Sequence, residues 1–226
     1  MKKIIGIDGC RAGWIVASLE EKEIVFQVIS SLEDLNKSNR ISLIGIDMPV
    51  NLVKKGLRLA DQEARSLLKN RASTVFSAPP LPVLNAPSYL NACELSFTLT
   101  GKKISKQSWN IFPKIKEVQI AKETFKDKIF FYEIHPELSF MAMNNMKVIQ
   151  HSKKLQEGKN IRRKLIEVIY PFFDFSKARL FFSKKEVADD DILDAVAVLW
   201  STKRIVDNIA ESVPKNSKEH SCHIFF

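Results

Sequence analysis

At 226 residues, 45% hydrophobic and 27% charged, the chain has the size and make-up of one globular α/β domain with a substantial core. No apolar stretch would span a bilayer and nothing resembles a signal peptide; Cys10, Cys93 and Cys222 are odd in number and form no CxxC, so a disulfide scaffold or structural zinc is not expected and a reducing cytoplasm is. A formal net charge of +9 favours polyanionic partners such as nucleic acid or phosphorylated ligands, although the Lys and Arg are spread along the chain as on an ordinary solvated surface.

Residues 4–8 (IIGID) read as a strand buried on both faces, because an apolar run bounded by turn residues is what a parallel sheet demands. Residues 14–19 (WIVASL) and 24–29 (IVFQVI) are β-rich runs joined by the charged turn Glu20-Glu21-Lys22-Glu23, which predicts a three-stranded antiparallel meander. Residues 31–37 (SLEDLNK) predict a short helix with a Ser cap and acids in its first turn. Residues 41–47 form a second buried strand, stopped by Pro49, and repeat the first: Ile5-Gly6-Ile7-Asp8 recurs as Ile44-Gly45-Ile46-Asp47. Helical spacing over 57–69, a loop with three prolines over 71–86 and helical stretches over 88–99 and 108–125 predict a mainly helical insertion at about 56–126. Residues 129–134 (IFFYEI) return to strand, 154–169 make a basic helix, and 189–210 the last long helix. The expectation is a mixed five-stranded sheet, three antiparallel strands followed by parallel ones, flanked by helices. It forms a single domain over 1–213, with 214–226 as a flexible polar tail.

Both buried strands deliver an Asp to their carboxyl end. In matching register the strand axes lie about 4.8 Å apart, and two carboxylates at that spacing repel by ~3 kcal/mol at an effective dielectric near 20. One proton or an intervening cation relieves that cost. Glu133, among Phe130, Phe131, Tyr132 and Ile134, is costly to bury unless something binds it; the plain alternative is a solvated strand end. In Asp189-Asp190-Asp191-Ile192-Leu193-Asp194 the first acids suit a helix start, but Asp194 lies past the capping positions and shares a face with Asp191, Ala195 and Val198. Asp8, Asp47, Glu133, Asp191 and Asp194 are therefore candidate catalytic and metal-ligating residues. An all-oxygen set suits Mg²⁺ or Mn²⁺, as one or two ions. With two ions about 4 Å apart, one activates water and the other steadies the leaving oxygen of a phosphodiester. His135 and Glu137 are further candidates. Arg11, Arg65, Arg71, Lys153 and Lys154 are candidate phosphate contacts, or else solvated surface charges. Trp14 and Phe76 are expected in the core rather than stacked on bases, and His220-x-Cys222-His223 is read as incidental.

The order of elements, with an Asp ending strand one, an acid ending the next parallel strand and an Asp-x-x-Asp helix, resembles the ribonuclease H-like nuclease fold, and in its last helix Holliday-junction resolvases. Ile7-Asp8-Gly9-Cys10-Arg11-Ala12-Gly13-Trp14, Gly45-Ile46-Asp47-Met48-Pro49, Asp61-x-Glu63-Ala64-Arg65 and Arg71-x-Ser73-x-Val75-Phe76-x-Ala78-Pro79-Pro80 resemble the family called domain of unknown function 429. So do Glu133-x-His135-Pro136-Glu137-x-Ser139-Phe140, Ser152-Lys153-Lys154-x-x-Glu157-Gly158 and Asp190-Asp191-x-Leu193-Asp194-Ala195. That family is described as predicted ribonuclease H-like nucleases. The resemblance covers about residues 4–210 and implies a metal-ligand role for Asp8, Asp47, Glu133, Asp191 and Asp194, and adds Asp190 as a further candidate. Ala12 stands where many members have Gly, which leaves the carboxylates intact.

The expected activity is thus metal-dependent hydrolysis of phosphodiester bonds, with nucleic acid as partner and no membrane. The alternative is a non-catalytic nucleic-acid or protein binding module on the same fold. An actin-like ATP-binding relative fits less well: Gly9-Cys10-Arg11-Ala12 has no Ser or Thr, Asp47-Met48-Pro49 has no glycine pair, and the chain is too short for two lobes.

Overall fold

The computed structural model describes residues 3–37, 41–215 and 222–226. Its sheet grows outward from the two copies of Ile-Gly-Ile-Asp. Strands β1 (Lys3–Cys10), β2 (Gly13–Glu20) and β3 (Glu23–Ile29) form the antiparallel meander, and β4 (Ile41–Ile46) and β5 (Phe130–Glu133) add parallel strands in the order β3-β2-β1-β4-β5. The repeats pair in register, Ile5 with Ile44, Gly6 with Gly45 and Ile7 with Ile46, and the Asp47 N–H donates to the Ile7 carbonyl at 3.0 Å.

Alternation along the strands then divides the work between two faces. Ile5, Ile7, Ile44 and Ile46 pack on the insertion side against Phe112, Ile115 and Val118. That insertion consists of α1 (Leu59–Leu68), α2 (Tyr89–Thr100), α3 (Lys106–Asn110) and α4 (Phe112–Phe125). The opposite face is covered by α8 (Asp189–Val206), behind which lie α6 (Gln156–Ile169) and α7 (Phe175–Leu180). Gly6 and Gly45 face α8 so closely that a Cβ on Gly6 would overlap the Leu199 backbone, and one on Gly45 the Thr202 hydroxyl. The absent side chains let α8 lie on the bare backbone of β1 and β4. A third core joins α1 and α5 (Pro136–Met143) to the chain end. Among the described residues no helix is long and apolar enough to cross a membrane.

Several local expectations change. Residues 32–37 form a 3-10 helix, and the proline-rich loop holds two more 3-10 segments, Lys69–Thr74 and Leu81–Asn85. The helix expected over 108–125 is two, α3 and α4, divided at Ile111 because Pro113 in the first turn of α4 has no N–H for a continuing ladder. Pro136, two residues past the strand expected over 129–134, opens α5, where its missing N–H costs nothing. Trp14 is fully buried, as expected, its indole N–H donating to Glu117 at 3.0 Å.

The chain end is a correction. Instead of a frayed tail, β7 (Ile224–Phe225) pairs antiparallel with β6 (Ser212–Val213), and Phe225 bridges to Ile134. Ile224 and Phe226 are buried beside Leu138 and Met141, so two apolar side chains on one face anchor the last residues. His220 and the rest of 216–221 lie outside the described residues.

Candidate functional site

The two-residue period that turns Gly6 and Gly45 toward α8 also turns Asp8 and Asp47 toward it, just past the strand positions that α8 touches. Asp194 precedes Ala195, whose carbonyl lies over Gly6, and joins them from the helix. Asp8 and Asp47 lie near enough to act on each other's charge, and Asp8 Oδ1 accepts the Gly9 N–H at 2.8 Å. Asp8 is 7% exposed and Asp194 2%, while Asp47 is half-buried. Burial, then the charges of Asp47 and Asp194, hold the Asp8 carboxyl well above the usual carboxylate range. Burial likewise pushes Asp47 and Asp194 up to about 7, with Lys153 pulling each back. The repulsion implied by the sequence is present and is offset in part by one ammonium.

That ammonium is Lys153, whose Nζ lies 2.5 Å from Asp194 Oδ2 and 3.6 Å from Asp190 Oδ2. Burial lowers its proton affinity, but Asp194 and Asp8 outweigh burial and hold it charged. Its position follows from α6. Gly158 has no side chain to meet the Ser152 carbonyl, so the segment before Lys153 presses against the helix, and Arg162, 1% exposed, donates to His151 O at 3.1 Å. The same guanidinium holds both oxygens of Glu137 at 2.7 Å.

Over the aspartates opens a cleft of ≈ 370 Å³ with Asp47 and Asp194 in its lining and Arg71, Lys153 and Lys154 among its cations. Arg71 stands 3.8 Å from Glu137, and the Lys154 side chain is exposed. His135 also lines the cleft; its Nε2 is 3.3 Å from Thr74 O, its buried Nδ1 has no hydrogen-bond partner among the described residues, and burial lowers its pKa so that it is neutral at pH 7. A larger hollow of ≈ 550 Å³ between β3 and α7 is lined by Phe26, Phe172 and Phe181 and contains none of the clustered aspartates.

Glu133 is not in the cluster. In register it sits opposite Ile46, one position before Asp47, and therefore on the insertion face. There Arg58 takes both its oxygens at 2.8 and 2.5 Å, and the Val50 N–H donates to it at 3.0 Å. Arg58, 1% exposed, also holds Asp61 Oδ1 at 3.0 and 2.5 Å, while Asp61 Oδ2 accepts the Ala78 N–H at 2.8 Å. Glu133 thus belongs to a closed ion network that ties β5 to α1 and two loops. Asp191 is likewise committed, accepting the Ala188 N–H at 2.8 Å as part of the α8 start. Asp190 touches the cluster through Lys153 alone. Arg11 is exposed in the β1–β2 turn, outside the cleft lining, and Arg65 donates to the Val75 carbonyl, a backbone tie.

Sequence reasoning missed Arg58 and Arg162, the two buried guanidiniums. Between Leu57 and Leu59, Arg58 looks like one more solvated charge; the available signal was Asp61 three residues on, together with a Glu133 that needed a cation. Arg162 shares a helical face with Gly158 and Ile166, both buried, a pattern that a basic helix obscures.

The donor set of Asp8, Asp47 and Asp194 is hard and anionic, the chemistry a divalent cation such as Mg²⁺ or Mn²⁺ requires. Three carboxylates with one ammonium, Lys153, between them leave negative charge in excess, and a divalent cation is a group that suits such a donor set. Among the described residues no three His, Cys, Asp or Glu side chains already stand in metal-holding geometry. Neither a curated protein nor a solved structure matches the chain. Residues 6–219 do match the family described as "Protein of unknown function (DUF429)", and the chain belongs to that family.

Proposed function

We propose that this protein is a metal-dependent phosphodiesterase acting on nucleic acid at the Asp8–Asp47–Asp194 cluster. One observation carries the reading: three desolvated aspartates from two strand ends and a helix meet in a cleft whose rim is cationic. Acids packed this tightly bind cations and a cationic rim receives anions, so a phosphate ester with a divalent ion would satisfy both. Asp8, Asp47 and Asp194 would hold Mg²⁺ or Mn²⁺, which when bound supplies Lewis-acid polarisation and a more acidic water. With an ion held there the carboxylates would be ionised, any proton they carry passing to solvent, and Lys153 would be free of Asp194 to meet the substrate phosphate as a point charge. Arg71 offers a planar fork to the same phosphate, while Arg162 keeps Glu137 out of competition for the ion.

The test is cleavage of labelled single-stranded and duplex DNA and RNA with Mg²⁺ or Mn²⁺. Asp8→Asn and Asp194→Asn should each lower the rate on the order of a hundredfold or more while the far-ultraviolet spectrum and melting stay native. Undiminished cleavage in either variant defeats the site. The close Lys153–Asp194 pair supports a second reading, a binding module whose acids are permanently neutralised from within. That reading requires salt-sensitive nucleic-acid binding with no cleavage under any divalent ion.

A further inference from the structure

The cleft over the aspartates continues past Thr74. Ser73, Thr74 and Gln107 line it and also line a second recess of ≈ 280 Å³, enclosed by the proline-rich loop, the end of α2 and the start of α3. The recess contains Lys102, Lys103, Pro79, Pro80 and a half-buried Phe76. The turn bearing the lysines is held rigidly. Gly101 closes α2 at φ 72° with its N–H on Phe97 O at 2.8 Å, Ser96 Oγ donates to Lys102 O at 2.7 Å, and Tyr89 Oη donates to Ile104 O at 3.1 Å. Neither the Lys102 nor the Lys103 ammonium has an ion-pair or hydrogen-bond partner among the described residues.

We infer that this recess is a distal subsite for a single-stranded oligonucleotide, with Lys102 and Lys103 each receiving one phosphate of neighbouring nucleotides and Phe76 offering its face to a base. The inference rests on the nucleic-acid reading above and deepens it. Two recesses with a common wall at Ser73, Thr74 and Gln107, a cationic rim at each and one aromatic ring, Phe76, half-buried against the core in the wall of the second, are the ingredients of a groove that tracks a flexible backbone. A duplex would reach the exposed lysines, but its stacked bases could not turn toward a half-buried ring, whereas an unpaired strand can splay one out. The helical insertion, which closes one side of the sheet, on this view also supplies the binding surface beside the aspartates.

The test uses fluorescence anisotropy of fluorescein-labelled dT oligomers of about two and about eight nucleotides, in EDTA so that nothing is cleaved, with the full chain and Lys102→Gln/Lys103→Gln. The double variant should bind the longer oligomer roughly tenfold more weakly and with a salt slope shallower by about 1.4, some 0.7 per lost phosphate contact, and bind the shorter one unchanged. Lys184→Gln/Lys185→Gln, which removes the same charge from exposed positions outside both recesses, should bind like the wild type. The inference is overturned if the variant stays within twofold of wild type, if the short oligomer or the control pair loses as much, if a matched duplex binds as tightly, or if the wild type binds no oligomer. Tight binding with that pattern but no cleavage in Mg²⁺ or Mn²⁺ would defeat the catalytic reading and leave the subsite standing.

Discussion

Two buried acidic groups sit within a few residues of each other at the same edge of the sheet, and they are opposite in kind. In the first, Glu133 and Asp61 share one guanidinium, and the Val50 and Ala78 N–H groups occupy further lone pairs. In the second, Asp8, Asp47 and Asp194 share one lysine that is itself a third exposed, and one backbone donor, Gly9 N–H. In the first network protein donors reach both oxygens of each carboxylate; the second is under-neutralised and borders a cleft. A buried carboxylate is therefore not in itself a sign of function. What separates structure from site is whether the protein brings enough positive charge and enough N–H donors of its own.

The comparison breaks most visibly at Arg58. Arg58→Met strands two buried carboxylates and should cost about 3–5 kcal/mol in urea unfolding; a loss under 1 kcal/mol would mean the network is not closed. Next comes the seam that brings α8 to the aspartates: Gly6→Ala drives a methyl into the Leu199 backbone and should cost about 1–3 kcal/mol. The same variant should weaken Mg²⁺ binding measured by calorimetry, because Asp194 moves with the helix.

The aspartate cluster should respond with the opposite sign. Asp47 and Asp194 have folded-state values of about 7, raised from 3.8, so the folded chain holds protons that the unfolded chain releases. Stability from those protons is complete below about pH 4 and is lost as pH rises to and past about 7, the reverse of a salt-bridged carboxylate. Asp47→Asn should flatten that slope and stabilise the metal-free protein at pH 8 by about 1–2 kcal/mol, followed by thermal melting across pH. A variant less stable than wild type at pH 8 would show that the cluster is a satisfied network like the first. Lys153→Gln should lower the melting temperature of the metal-free protein, because it strands Asp194, and enlarge the rise produced by Mg²⁺, since the ion no longer competes with an ammonium for Asp194.

Much of this arrangement is legible along the chain because it depends on local periodicity. The repeated Ile-Gly-Ile-Asp, the alternation of β1 and β4 and the late position of Asp194 in the acidic run of α8 suffice to predict two paired strands and three of the clustered acids. The role of the glycines is harder to see: their value lies in what is missing, and only α8 resting on the sheet reveals it. Glu133 has the same local signature as Asp47, an acid at the end of an apolar strand. One step of register between β4 and β5 puts it on the other face and in the grip of Arg58.

The amino-acid sequence by itself determined the sheet, its two buried strands and the side on which Asp8, Asp47 and Asp194 emerge, because strand and helix periods are properties of the chain. Tertiary structure alone decided which acids would be neutralised, by Arg58 and Arg162 from distant segments, and which would be left to share Lys153. It also decided that the chain end packs. Charge pairing inside a protein depends on distance in space and access of water, and neither is written in the order of residues.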